Sequence, residues 1–158
     1  MRSDRLRQLL DTAERHTRAG RWSRAVFFYR KVLAHSREGE FECELAHSRL
    51  GDLHLGLGQA AQAVPHLSRA RALAEDEPEY ALMLGRALRA ADRPDEASNH
   101  LLDAVASPTH AADALAELAH AASDRGDRAL ARRLATHAAE RHPNDCRFQH
   151  LSRSFADA

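Results

Sequence analysis

Residues 20–33 read GRWSRAVFFYRKVL and hold half of the chain's aromatic side chains: Trp22, Phe27, Phe28 and Tyr29. Whether these rings form a binding site or pack inside a helix depends on what the rest of the chain does. Three further stretches answer to this one: GQAAQAVPHLSRAR (58–71), DRPDEASNHLLDAV (92–105) and GDRALARRLATHAA (126–139). Each opens on Gly or Asp, places Ala five residues later, and carries apolar residues four and seven or eight positions further on. The marker alanines are Ala25, Ala63, Ala97 and Ala131, at intervals of 38, 34 and 34 residues. A fixed period of this length is the signature of stacked repeats. The longer first interval predicts an insertion of about one helical turn near SREGEFECE (36–44).

A second periodic segment precedes each marker. SRLGDLHLGLG (48–58) and LMLGRALRAAD (82–92) share Leu-Gly at Leu50-Gly51 and Leu84-Gly85, LAELAHAASDRG (115–126) has Ala119 at that register, and LLDTAERHTRAG (9–20) has Thr12-Ala13. Apolar residues recur at three and four positions, which makes one helical face. Gly at the same register of two helices predicts a close helix–helix approach that a side chain would obstruct. Each unit therefore reads as helix, short turn, helix, ending near Glu38, Pro78, Pro108 and Pro143.

With these residues in place the pattern resembles the tetratricopeptide repeat: a 34-residue period, Leu-Gly in the first helix, Gly at the turn, Ala then a large apolar then Ala in the second helix, and a closing Pro. The resemblance implies an all-α, right-handed α-solenoid. Four repeats over about 6–39, 44–77, 78–111 and 112–145, closed by a capping helix over about 145–157, then make a single domain of residues 1–158. In the last segment Phe148, Leu151 and Phe155 share one helical face, as a lid on an exposed solenoid end requires. The sequence departs from the family at the first-helix aromatic position (Leu9, His47, Ala81, Leu115) and at the inner position usually filled by Tyr (His16, His54, Leu88, Ala122).

By the same alignment Trp22 and Tyr29 take positions of bulky packing residues, and Phe28 takes one that is often aromatic. Phe27, whose equivalents are Pro65, Asn99 and Arg133, faces outward on the convex side as a possible contact. Pro65 falls inside a helix and predicts a local distortion there.

Composition narrows the function. The 23 acidic and 23 basic residues balance, which gives no global attraction to nucleic acid or anionic membrane. All basic residues but Lys31 are Arg, a bias that a GC-rich genome produces. No run approaches the roughly 20 apolar residues of a membrane span, and the first residues lack the apolar core of a signal peptide. Cys43 and Cys146 read as free thiols of a reducing, cytoplasmic compartment. GLGQAA (56–61) matches a dinucleotide-binding loop in letters only, since a helical segment and not a strand precedes it. Eleven histidines contain no HExxH and no i,i+4 pair, so neither metal nor cofactor is expected. No nucleophile–base set can be assembled from spacing, and the chain reads as a non-enzyme.

The resemblance implies that the first helices line a concave groove for a segment of another protein. By register the contact residues are Arg49, Asp52, Leu82, Met83, Arg86, Arg89, Glu117 and His120. Family members that clamp a C-terminal carboxylate use positions that read Leu10, Glu14, Arg49, Glu79 and Met83 here. Only Arg49 suits that role, so an acidic–apolar segment held by Arg49, Arg86 and Arg89 beside Leu82 and Met83 is the expected partner. The alternatives are a groove whose charges pair with one another, a self-assembling scaffold using Phe27, and a peptide-sensing regulatory module.

Overall fold

A computed structural model describes residues 2–156. Met1 and residues 157 and 158 lie outside them, including the last residue of the expected capping helix. Among the described residues there are nine helices and no strand. Packing groups the chain into two compact units, residues up to Asp76 and residues from Glu77 onward.

The first unit contains α1 (Arg2–Arg18), α2 (Trp22–His35), α3 (Phe41–Gly56) and α4 (Ala60–Leu73). Each packs on the next, and α1 also touches α3. The extra residues of the first interval lengthen α3 to 16 residues and supply the α2–α3 loop, where Gly39 takes φ 86°. The second unit contains α5 (Pro78–Ala90), α6 (Pro94–Val105), α7 (Ala111–Asp124), α8 (Arg128–Arg141) and α9 (Cys146–Ala156). Here too neighbours in sequence are neighbours in space, and α5 touches α7.

The four turns within hairpins are built alike. Gly20, Gly58, Asp92 and Gly126 adopt φ of 67°, 71°, 60° and 82°, the left-handed conformation that ends a helix. The amide of the following residue then donates to a carbonyl five residues back: Arg21 to His16, Gln59 to His54, Arg93 to Leu88 and Asp127 to Ala122, at 2.8–2.9 Å. These turn residues are the Gly or Asp that opens each repeated stretch. Asp92 holds a conformation that costs a non-glycine residue on the order of 1 kcal/mol.

Small residues set the distance between the two helices of a hairpin. The four marker alanines are fully buried. A Cβ on Gly51 would stand 2.4 Å from Leu67 Cγ, and one on Gly85 would stand 2.5 Å from Leu101 Cγ. Each leucine fills the space that its glycine vacates. Helix α4 runs unbroken through Pro65, so no interruption of the helix accompanies the distortion expected there. The ring is exposed, which leaves the Ala61 carbonyl it cannot bond open to water.

At the α3–α4 contact His47 and His66 meet Nδ1 to Nδ1 at 3.1 Å, with ring centroids 5.3 Å apart. The rings therefore approach nearly end-on, one nitrogen donating and the other accepting. His54 stacks on His66 at 5.8 Å and 4°, and donates from Nδ1 to Gln59 Oε1 at 2.7 Å. Phe28 stacks on His16 in the same way one hairpin earlier.

Burial pushes the His66 imidazole down to about 4, helped by His47, His54 and Arg30; burial lowers His47 as well. In the unfolded chain His66 titrates near 6.5, so between those values the unfolded chain binds more protons than the folded one. Stability is then fully present above pH 6.5 and falls as the pH drops towards 4. For a half-buried ring the loss is about 2 kcal/mol or less. His66→Phe, which copies Phe28, should flatten this dependence. Urea unfolding at pH 7 and pH 4.5 checks it, and equal acid losses in wild type and variant would refute it.

Candidate functional site

The first unit opens into a cleft of about 580 Å³ walled by α1, α2 and α3. Its apolar surface comes from Trp22, Tyr29, Leu53 and Leu57, and its charges from Glu14, Arg18, Arg49 and Asp52. Gly56 belongs to the lining, and a Cβ there would meet nothing within 4 Å. Space of this size, mostly apolar with a few placed charges, is typical of a ligand cleft.

The aromatic side chains of the opening stretch divide between packing and cleft. Tyr29 is buried, with its hydroxyl 3.5 Å from that of Thr17; burial raises its pKa, so it is a neutral phenol at physiological pH. Trp22 is 44% exposed, which corrects its reading as a packing residue. It is the first residue of α2, and its ring edges the cleft instead of entering the core. Phe27 is 54% exposed, edge-on to Phe28 and beneath the Lys31 ammonium at 4.7 Å.

Glu14 organises the cleft charges. It holds Arg18 at 3.0 Å, one helical turn away, and reaches Arg49 only at 4.0 Å. Arg49 is thus loosely held and half exposed. Asp52 stands exposed on the rim. Two cations and two carboxylates balance across the cleft.

In the second unit the expected contact residues come together differently. Arg86 Nε donates to Glu117 Oε1 at 3.0 Å, and Arg89 Nε donates to Glu117 Oε2 at 3.1 Å. Arg86 also approaches Asp113 at 3.8 Å, and Arg89 approaches Asp124 at 3.3 Å. Arg147 from α9 reaches Asp113 at 3.5 Å. This is the pairing of groove charges with one another, made between α5 and α7 rather than along one helix. Both arginines have carboxylate partners already, which removes the basis for reading them as free to take a partner's acid. Leu82 is 3% exposed and offers no contact surface: at this register the side chain enters the core of its unit. Met83 is half-buried, and His120 lies edge-on to Phe155 at 5.7 Å. Sequence reasoning missed Trp22 and Leu57 as cleft residues, whereas Arg18 falls on the groove side of α1 by register. The signal was available in Trp22, the bulkiest residue at a position that reads Ala60, Pro94 and Arg128 in the other hairpins.

Among the described residues no group of three His, Cys, Asp or Glu is placed to hold a metal ion, and no helix is long and apolar enough to cross a membrane. Cys43 is buried and Cys146 exposed, both as free thiols.

Helical hairpins with a left-handed turn residue, a buried marker alanine and a glycine-to-leucine contact define the tetratricopeptide-repeat fold, and the chain has it. Solved structures with this fold include MamA, with a TM-score of 0.84 at 20% identity over 96% of this chain and 81% of that one. They also include YrrB, described as a tetratricopeptide-repeat protein with an unusual peptide-binding site, at 0.80 and 20% over 89% and 71%. A third is the nearly identical repeats of a putative kinesin light chain from Podosopora anserina, at 0.78 and 21% over 97% and 86%. No family model matches the chain, and no curated protein matches it.

Proposed function

We propose that the protein is a non-enzymatic interaction module whose first unit holds a segment of a partner protein in the α1–α3 cleft. The observation that carries this reading is the cleft itself: open, apolar in its floor, edged by an exposed tryptophan, and flanked by an arginine with no close partner. The segment places an apolar side chain between Trp22, Leu53 and Leu57, and sets a neighbouring carboxylate on the loosely held Arg49. Because the lining is charge-balanced, the apolar contact supplies most of the affinity and the charges fix register. The second unit's face is less suited, since its charges satisfy one another. A peptide-binding site is on record for YrrB, which has the same fold. The free thiols fit a reducing, cytoplasmic setting.

The test is selection from a displayed peptide library. Wild type should enrich sequences with an acidic residue beside a large apolar one. Gly56→Leu, whose side chain grows into open cleft space without a clash, should fold as well as wild type yet bind at least about tenfold more weakly, a difference of roughly 1.4 kcal/mol. Arg49→Glu should lose a similar amount. Enrichment of nothing, or of peptides that Gly56→Leu still holds, would refute the cleft as the site.

A further inference from the structure

Helix α2 has two faces. Ala25, Tyr29 and Val32 are buried, and the helix packs on α1 and α3. On its other side Arg24, Phe27, Lys31 and Ala34 are all exposed, spaced three, four and three residues apart, with Ser23 and Arg30 exposed alongside. Such spacing is the seam by which one helix lies along another. At the centre of the seam Phe27 is 54% exposed. Its equivalents in the other hairpins are Pro65, Asn99 and Arg133, so the repeat itself does not call for an aromatic ring there.

The charge around this ring has one sign. Helix α2 contains no Asp or Glu. Among the described residues none of Arg24, Arg30 and Lys31 pairs with a carboxylate, and the Lys31 ammonium rests on the Phe27 ring at 4.7 Å. The first carboxylate after α2 in sequence, Glu38, is held by Arg69 of α4, a helix that also contains no Asp or Glu. We propose that this face docks an acidic amphipathic helix of a partner protein. An apolar side chain of that helix covers Phe27, and carboxylates beside it accept from Arg24 and Arg30 and draw the Lys31 ammonium off the ring. The planar fork of Arg fits a carboxylate bidentately, and the apolar contact beside it keeps water from the pair. A bilayer is the poorer occupant, because peripheral helices bind lipid through a broad apolar face, and α2 exposes a single large ring on this side. A nucleic acid is poorer too, since three cations neutralise only about three phosphates and salt weakens such binding steeply. The contact uses none of the cleft residues, so it stands or falls separately from peptide binding.

The experiment selects a displayed library of α-helices, one face randomised on a fixed helical-hairpin scaffold, against the full chain. Enriched helices should carry Asp or Glu on both sides of an apolar stripe. Arg24→Glu/Lys31→Glu, at two exposed positions and with helicity checked by circular dichroism, should bind the enriched helix at least about tenfold more weakly. The same helix with its acids changed to Lys should bind that variant and no longer bind wild type, a reversal that loss of folding cannot produce. Gly56→Leu, which fills the cleft, should bind the acidic helix as wild type does. Enrichment of no helix, or of helices without acids, would overturn the proposal, as would a charge exchange that restores nothing. Tighter binding of wild type to vesicles of equal parts phosphatidylcholine and phosphatidylserine, or to oligothymidylate, would also overturn it and give the face to lipid or nucleic acid.

Discussion

Replacing Gly51 by valine should destabilise the first unit by about 3 kcal/mol or more, the upper range for overpacking a filled core. The Cβ would already stand 2.4 Å from Leu67 Cγ, an atom near the root of a fully buried side chain that has nowhere to swing. The two γ-methyls of valine add to that overlap. Gly51→Ala should cost less, about 1–2 kcal/mol, because the better helix propensity of alanine returns nearly 1 kcal/mol. The last hairpin shows how the clash can be relieved: Ala119 and Ala135 occupy the registers of Gly51 and Leu67, and both are fully buried. The double variant Gly51→Ala/Leu67→Ala copies that pair. Leu67→Ala alone leaves a cavity worth about 2–5 kcal/mol. The double variant should cost at least about 1 kcal/mol less than the two single costs together, because the new methyl enters the vacated space. Urea midpoints with unchanged slopes measure all three. Strictly additive costs would mean that the glycine is not there to admit the leucine.

Phe148→Ala should cost the second unit about 3–5 kcal/mol. Phe148 is nearly fully buried, and it packs against Leu115 of α7 and Ala138 and Ala139 of α8. Helix α9 is only 11 residues long, too short to persist in water without a docked face. Losing its main anchor should release α9 and strip cover from two helices at once. Hydrogen exchange checks this: amides of α9 should lose protection first, with α7 and α8 following. Protection of α9 equal to wild type would show that Leu151, beside Ala119 and Ala135, suffices to dock it.

What could be read from sequence, and what could not, divides along a physical line. The hairpins and their turns were legible because they rest on backbone geometry. A left-handed turn residue, a buried alanine and a glycine facing a leucine are each demanded by a position that tolerates few alternatives. The cleft rests on side chains, and one-dimensional register reads these poorly. By position Leu82 falls on a contact surface, yet α5 is packed on both α6 and α7, which turns that position inward. For Arg86 and Arg89 the sequence leaves a partner's acid and pairing within the groove both open, because their common partner, Glu117, lies about thirty residues away on another helix. The His47–His66 contact leaves no i,i+4 signature in the sequence, because its halves stand on different helices. Trp22 reads as packing because large residues usually pack, yet at the start of α2 its ring is left 44% exposed at the edge of the cleft.

The matched pairs within hairpins have a consequence for how such a chain can be rearranged. Gly51 with Leu67, Gly85 with Leu101, and Ala119 with Ala135 are size-complementary inside one hairpin. The four reversing turns, by contrast, are interchangeable joints. Recombination at a joint would splice without strain in the backbone, yet it would set Gly85 opposite Ala135 and leave a hole between them. A crossover in the loops that separate hairpins, at residues 36–40, 74–77 or 106–110, keeps every pair with its own partner. Inheritance by whole hairpins is therefore the exchange that this core permits, and the silent breakpoints of the chain lie in those loops.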